Sequence, residues 1–201
     1  MKRGPARIPH LGGARALVLH RAHPDAAALL RQLAAIGLKA ELAWPDLPAD
    51  APLAEFLFFD VDMACDDQMP WAPGEAPMPT IALIGTEAPG RVEWALKHRA
   101  DAHLVKPLGN AGIYSAMLIA RQKFDERREL YREIAALRTQ VSERRTVVQA
   151  VLKLTERGQT EAEAFALLRR LAMDGQTTME AAAARLLADW SGGAFERSRR
   201  L

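Results

Sequence analysis

The sequence predicts a doubly wound, parallel, five-stranded α/β sheet, followed by a long helix and a small three-helix C-terminal unit. Three observations predict it. Short apolar runs of strand length alternate with helical stretches over the first half. Neither Pro nor Gly occurs between Ile113 and Arg157. Beyond that stretch, two Thr-x-x-Glu signatures open two further apolar stripes. Strands separated by helices form a parallel sheet covered on both faces, and in such sheets chemistry gathers at the carboxyl ends of the strands.

Ala14 to Leu19 (ARALVL) is the first strand. Pro24 and Asp25 open a helix with Leu29, Leu30, Leu33 and Ile36 on one face, and Gly37 stands where a helix C-terminal glycine belongs. KAELAW is a brief second strand. FLFFD, Phe56 to Asp60, is continuously apolar up to its acid, as a strand buried on both faces would be, and TIALIG, Thr80 to Gly85, repeats the pattern. Pro89 to Arg99 reads as a helix, Ala102 to Val105 as the fifth strand, and Asn110 opens the long helix. Two crossovers differ: Trp44 to Leu53 holds three prolines and Met69 to Pro79 holds four. Proline inside a helix costs about 3 kcal/mol, so the helices expected there are short or missing.

Composition narrows the class. The chain has 201 residues, 49% hydrophobic and 26% charged, as in a soluble globular protein. The lone Cys65 excludes an internal disulfide framework and suits a reducing cytosol. No apolar run reaches the roughly 18 to 20 residues that span a bilayer, and residues 1–13 lack the apolar core of a signal peptide, so the expected location is cytoplasmic, without a membrane partner. Residues 121–201 hold 16 Lys+Arg against 12 Asp+Glu, leaving 11 against 13 elsewhere. A surplus of four positive charges permits a polyanion partner at that end, and a solvated helical surface would give the same numbers.

Asp60 ends the third strand and Lys106-Pro107 ends the fifth, in FLFFDVDM and ADAHLVKPL. These segments resemble the receiver domain of bacterial response regulators over residues 14–122. The resemblance implies that Asp60 is the phosphoacceptor-like residue and Lys106 its paired charge, with a Lys-Pro bond often cis in the family. Where receivers carry a Mg²⁺-binding acidic pair after strand one, this chain has His20 and Arg21. A hard cation gains nothing from a guanidinium, so no metal or other cofactor is expected, Mg²⁺ included. A fixed Arg21 guanidinium pairing with Asp60 would take the place of the metal charge. Gly85 and Thr86 compete for the hydroxyl position after strand four, and Arg99 stands in place of the family's Gly. Asp62, Asp66 and Asp67 read as a solvated loop, and His20 and His23 as isolated. The domain is a degenerate receiver, and Asp60 has two readings: an acid paired with Lys106 in a domain that is not phosphorylated, or a working phosphoacceptor.

In the long helix, Leu130, Ile134, Leu137, Val141, Val148 and Val151 recur at alternating steps of four and three, with Arg144 at the missing position. That is an a/d seam of about three heptads. It predicts a homodimeric coiled coil, the alternative being a helix packed on its own domain. Arg127, Arg128 and Arg132, interleaved with Asp125, Glu126, Glu129 and Glu133, read as a solvated face of i,i+4 pairs.

Gly158 ends the long helix; Thr160-x-x-Glu163 and Thr177-x-x-Glu180 are capping boxes. Phe165, Leu168 and Ala172 form one stripe and Met179, Ala183, Leu186, Leu187 and Trp190 the next, until Gly192-Gly193. Gln149-Ala150, Thr160-Glu161, Glu163-Ala164-Phe165, Leu167-Leu168-Arg169, Ala172-Met173 and Ala182 to Leu187 together resemble the ANTAR domain, the RNA-binding module of transcription antitermination regulators. Receiver, coiled coil and ANTAR in that order follow the plan of the amidase regulator. The organisation expected is therefore 1–122 receiver-like, 123–148 coiled-coil linker, 140–193 ANTAR and 194–201 a basic tail.

The resemblance implies a dimer that binds hairpins in a leader mRNA and prevents a terminator from forming, controlled by a sensor protein or histidine kinase. Hairpin loops present unstacked bases and a phosphate arc, for which Arg144, Arg145, Gln149, Arg169, Arg170 and Arg185 could supply polar groups. Val151, Leu152 and Thr155 stand where the family usually has Lys, Gly and Met. Two other classes are weighed: a DNA-binding response regulator, against which the alanine-rich last helix argues, and a protein-binding anti-activator. No nucleophile-base pair, metal-ligand spacing or phosphate-cradling loop suggests an enzyme.

Overall fold

The structure, a computed structural model, describes residues 11–63 and 66–191. Cys65, the Gly192-Gly193 stop and the tail 194–201 lie outside the described residues. The described chain divides into two compact units, residues 1–129 and 130–201.

The first unit is a parallel sheet in the order β2-β1-β3-β4-β5, with β1 Arg15–Leu19, β2 Lys39–Ala43, β3 Phe56–Asp60, β4 Thr80–Ile84 and β5 Ala102–Val105. Every residue of β3 and β4 is buried, which is why those segments read as unbroken apolar runs. Side chains alternate between two faces. Val18, Phe56, Phe58, Ile81 and Leu83 pack against helix α1 (Pro24–Ile36) and the first turns of helix α3 through Ile113, Met117 and Ala120. Leu17, Leu19, Leu57, Phe59 and Ala82 pack on the other side against Met69, Met78 and Ala95 of helix α2 (Pro89–Lys97). Among the described residues, the first proline-rich crossover holds a short 3₁₀ turn, Ala51–Leu53, and the second holds no helix, a short 3₁₀ turn at Asp66–Gln68 preceding it.

Local chemistry sets the boundaries. His23 caps α1 by accepting from the Asp25 N–H, and Gly37 closes it at φ 99°. Helix α2 stops at Lys97, two residues earlier than expected, because Arg99 adopts φ 54°. That is the left-handed region where Gly is at ease. The second strand stops at Ala43, before a cis Trp44-Pro45 bond, and Lys106-Pro107 is also cis. The long helix begins at Ile113, after Gly112 at φ 90°, instead of at Asn110.

Helix α3 runs Ile113–Thr155, 43 residues, or about 65 Å at 1.5 Å per residue. Its Arg127 is not on a solvated face as expected: the guanidinium grips both carboxylate oxygens of Asp101, which is 1% exposed. In the second unit, the end of α3 packs with helix α4 (Glu161–Asp174) and helix α5 (Met179–Ser191) through Val147, Ala150, Val151, Leu154, Ala164, Leu168, Ala183 and Leu186. Val151 therefore belongs to this core and not to the seam, correcting the expected register at its last position. The capping box at Thr160 and Glu163 is complete. The second box is not: Thr178, not Thr177, accepts from the Ala181 N–H at the head of α5.

Candidate functional site

The ends of β1, β3, β4 and β5 bring His20, Asp60, Asp62, Gly85 and Lys106 together. Asp60 is 4% exposed. Its Oδ1 lies 2.6 Å from Lys106 Nζ and accepts the Asp62 N–H at 3.0 Å. Its Oδ2 lies 3.3 Å from Nε2 of His20, off the line of a hydrogen bond. The opposite ring nitrogen, Nδ1, is 2.7 Å from the Arg21 carbonyl oxygen, an acceptor, so Nδ1 carries the proton of that bond.

Three expectations change here. Arg21 is exposed, and the group against the second oxygen of Asp60 is His20, buried and not isolated. The pocket position after β4 belongs to Gly85: a Cβ there would stand 3.4 Å from Lys106 Cδ. Thr86 contributes its backbone N–H instead of a hydroxyl. Asp62 is not a solvated loop residue, since its carboxylate accepts from Gly85 N (2.9 Å), Thr86 N (2.9 Å) and Lys106 Nζ (3.0 Å). Burial pushes the Asp62 carboxyl up, but the Lys106 hydrogen bond and the Thr86 and Gly85 N–H groups outweigh it and hold it below the usual carboxylate range. Asp66 is likewise engaged, accepting from Trp94 Nε1, Lys97 Nζ and His98 Nε2.

Mg²⁺, which the receiver resemblance brings to mind, does not fit. A hard cation needs several oxygen ligands, whereas Asp60 faces an imidazole and an ammonium, and Asp62 is turned onto three N–H donors.

The second candidate surface lies on the helical unit. Arg144, Arg145, Gln149, Arg169, Arg170 and Arg185 are all exposed. Arg145, Gln149 and Lys153 follow one another at steps of four along α3, the spacing that places side chains on one face, and Arg157 lies in the turn just past the helix end. Gln149, Lys153 and Arg157 line a hollow of about 530 Å³ with Leu152, Glu156, Leu187 and Trp190. The Arg157 guanidinium sits over the Trp190 ring, 4.4 Å from its centroid. Arg170 borders a separate hollow of about 470 Å³ with Gly158, Gln159, Glu163, Ala166 and Leu167. Sequence reasoning passed over Lys153 and Arg157, although their steps of four from Gln149 were there to be read, and it read Trp190 only as part of an apolar stripe, because its place beside Gln149 is set by the packing of α5. On the preceding stretch of α3, Leu130 (54%), Leu137 (53%), Val141 (66%) and Val148 (54%) are exposed in the single chain.

The family model described as "AmiR, N-terminal" matches residues 14–121, and that of the ANTAR domain matches residues 135–187. The transcriptional regulatory protein PdtaR of Mycobacterium tuberculosis is 35% identical over 103 residues, which cover 51% of this chain and 50% of PdtaR. The chain thus matches about half the length of that curated relative. Full-length FixJ from B. japonicum is similar at 18% identity and a TM-score of 0.44, over 87% of this chain and 96% of FixJ. The Rec1 domain of ShkA, solved in complex with c-di-GMP, is similar at 22% identity and a TM-score of 0.41, over 54% of this chain and 92% of that one.

Proposed function

The chain belongs to the ANTAR-type transcriptional regulators with an AmiR-type, receiver-like N-terminal domain, and from that premise we propose that it is a dimeric RNA-binding antiterminator acting on hairpins in a leader mRNA. The observation that carries the reading is the basic face of α3 within the ANTAR match. Arg145, Gln149 and Lys153 lie along the helix, and Arg157, just past its end, meets Trp190 at the same hollow. Cations held at regular spacing suit a phosphate arc, and a flat aromatic edge with polar neighbours suits unstacked loop bases. Dimerisation uses the seam of exposed Leu130, Leu137, Val141 and Val148 with half-buried Ile134, which brings two RNA-binding units to one transcript.

Retention of the full-length chain on leader hairpin RNA and on duplex DNA of the same sequence tests this directly. The expected result is retention by the hairpins alone. Preference for the duplex would make the protein a DNA-binding regulator, and retention by neither would leave a protein-binding role.

Arg169 and Arg170 on α4, where Arg170 borders a second hollow of the same unit, are assigned as further phosphate contacts. Replacing both by Ala is expected to weaken hairpin binding and to flatten the slope of log K against log salt by about one to two. An unchanged slope would move the RNA to another face.

Control of the N-terminal domain runs through a partner protein rather than through phosphorylation of Asp60. A small phosphodonor with Mg²⁺ is expected to give no stoichiometric mass gain, because Asp60 already binds Lys106 and faces His20. A gain that disappears in Asp60→Asn would overturn this. A sensor partner would then supply switching energy by binding one state of the domain preferentially.

A further inference from the structure

The donors around Asp62 form a site in their own right. Two consecutive backbone N–H groups, of Gly85 and Thr86, and the Lys106 ammonium converge on one carboxylate at 2.9, 2.9 and 3.0 Å. Successive main-chain N–H groups with a cation beside them are the chemistry of oxyanion binding. The glycine is part of it. A Cβ at position 85 would stand 2.5 Å from Asp62 Oδ2 and 3.3 Å from its Cγ, so only a residue without a side chain leaves the carboxylate its place. The chain also aims Asp62 at this spot. Its own N–H bonds back to Asp60 Oδ1 at 3.0 Å, and the Val61 N–H bonds to the Leu83 carbonyl at 3.0 Å, which holds the turn against β4.

We propose that Asp62 is a built-in ligand of an oxyanion site made by Gly85, Thr86 and Lys106, and that its carboxylate excludes a phosphate-class anion from outside. The domain then carries the negative charge that these donors demand as part of its own sequence. Asp60 and Asp62 share Lys106, so the donors are filled by side chains of the domain without an added anion. This inference is independent of the RNA-binding reading, since its ligand and its readout lie wholly in the first unit.

The test uses the ¹⁵N-labelled full-length chain titrated with inorganic phosphate at constant ionic strength. The Gly85 and Thr86 amides of the wild type are expected not to respond. In Asp62→Ala they are expected to shift saturably, and adding Lys106→Met should weaken that binding at least about tenfold, since a charge-assisted contact is worth about 1.5 kcal/mol or more. A saturable response of these amides in the wild type, or none in a folded Asp62→Ala chain, would overturn the proposal. Should Asp62→Ala fail to fold, Asp62→Asn serves, because its neutral amide has one oxygen where the carboxylate offers one to each N–H and carries no charge to repel phosphate. Absence of any amide response in folded Asp62→Asn would count against the site equally. A second measurement needs no ligand. Gly85→Ala should lower Tm in the wild type and by less than half as much in the Asp62→Ala background, because the added methyl meets the carboxylate. Equal shifts in the two backgrounds would show that the glycine does not serve Asp62.

Discussion

Replacing Ile134 and Leu137 together by Glu is expected to convert a dimer into a monomer and to weaken binding to a two-hairpin leader by about 100-fold. The single chain leaves most of this stripe uncovered: Leu137 is 53% exposed, its seam neighbours Leu130 and Val141 are 54% and 66% exposed, and Ile134 is half-buried. A 43-residue helix of mixed polarity gains stability by burying such a stripe against another. Two glutamates per chain would place four carboxylates in an apolar seam where each repels the others, and a buried unpaired charge costs several kcal/mol. The RNA effect follows from linkage. A dimer engages the second hairpin at a high effective concentration, and an avidity gain of 100-fold corresponds to about 2.7 kcal/mol. Sedimentation of both proteins at tens of micromolar is the check, with far-ultraviolet dichroism to confirm that each remains helical. A wild-type monomer, or a variant that stays dimeric, would remove the seam from the account.

What the sequence shows of this fold depends on the range of the interaction that sets each feature. FLFFD and TIALI were legible as buried strands because burial on both faces leaves a continuous apolar run. The reduced crossovers were legible because proline excludes helix locally, and the Thr160 box because its partners are three residues apart. Asp62 was not legible. An acid between Val61 and Met63 looks like a solvated turn until β4 and β5 bring the Gly85 and Thr86 N–H groups and Lys106 to it. The exchange of Arg21 for His20 has the same origin. Which of two adjacent residues turns inward depends on the strand's register at its last position, and His20 continues β1 by donating its N–H to the Ala43 carbonyl at 3.1 Å. Val151 fitted the heptad steps, but α4 and α5 cover it, and no periodicity within one helix records which neighbours arrive. Arg127 failed for that reason too, since its true partner lies on another element.

That partner makes Arg127→Ala a substitution expected to destabilise the first unit clearly, although Arg127 lies outside its core. Asp101 precedes β5, and its carboxylate accepts the Thr80 N–H at 3.0 Å, which closes the start of β4. The carboxylate is buried, and the Arg127 guanidinium, 23% exposed, covers its outer side. Arg127 also stacks near Phe124, with its guanidinium carbon 5.4 Å from the ring centroid. It lies two residues before the first unit ends at Glu129. Removing one partner of a buried pair costs about 3–5 kcal/mol, because the remaining charge stays desolvated. Since Arg127 is partly open to solvent, water can enter, and about 2–3 kcal/mol is the reasonable range here. For a unit of this size that corresponds to a fall in Tm of about 10 °C. A double-mutant cycle with Asp101→Asn isolates the pair, since Asn can still accept from Thr80 while carrying no charge. The expected coupling is at least about 1 kcal/mol. A fall in stability below about 0.5 kcal/mol for Arg127→Ala would mean that the ion pair is incidental. The functional corollary separates anchoring from recognition: hairpin binding by Arg127→Ala should survive at temperatures where the first unit has melted, because the core of the helical unit, from Val147 to Leu186, contains none of the residues involved.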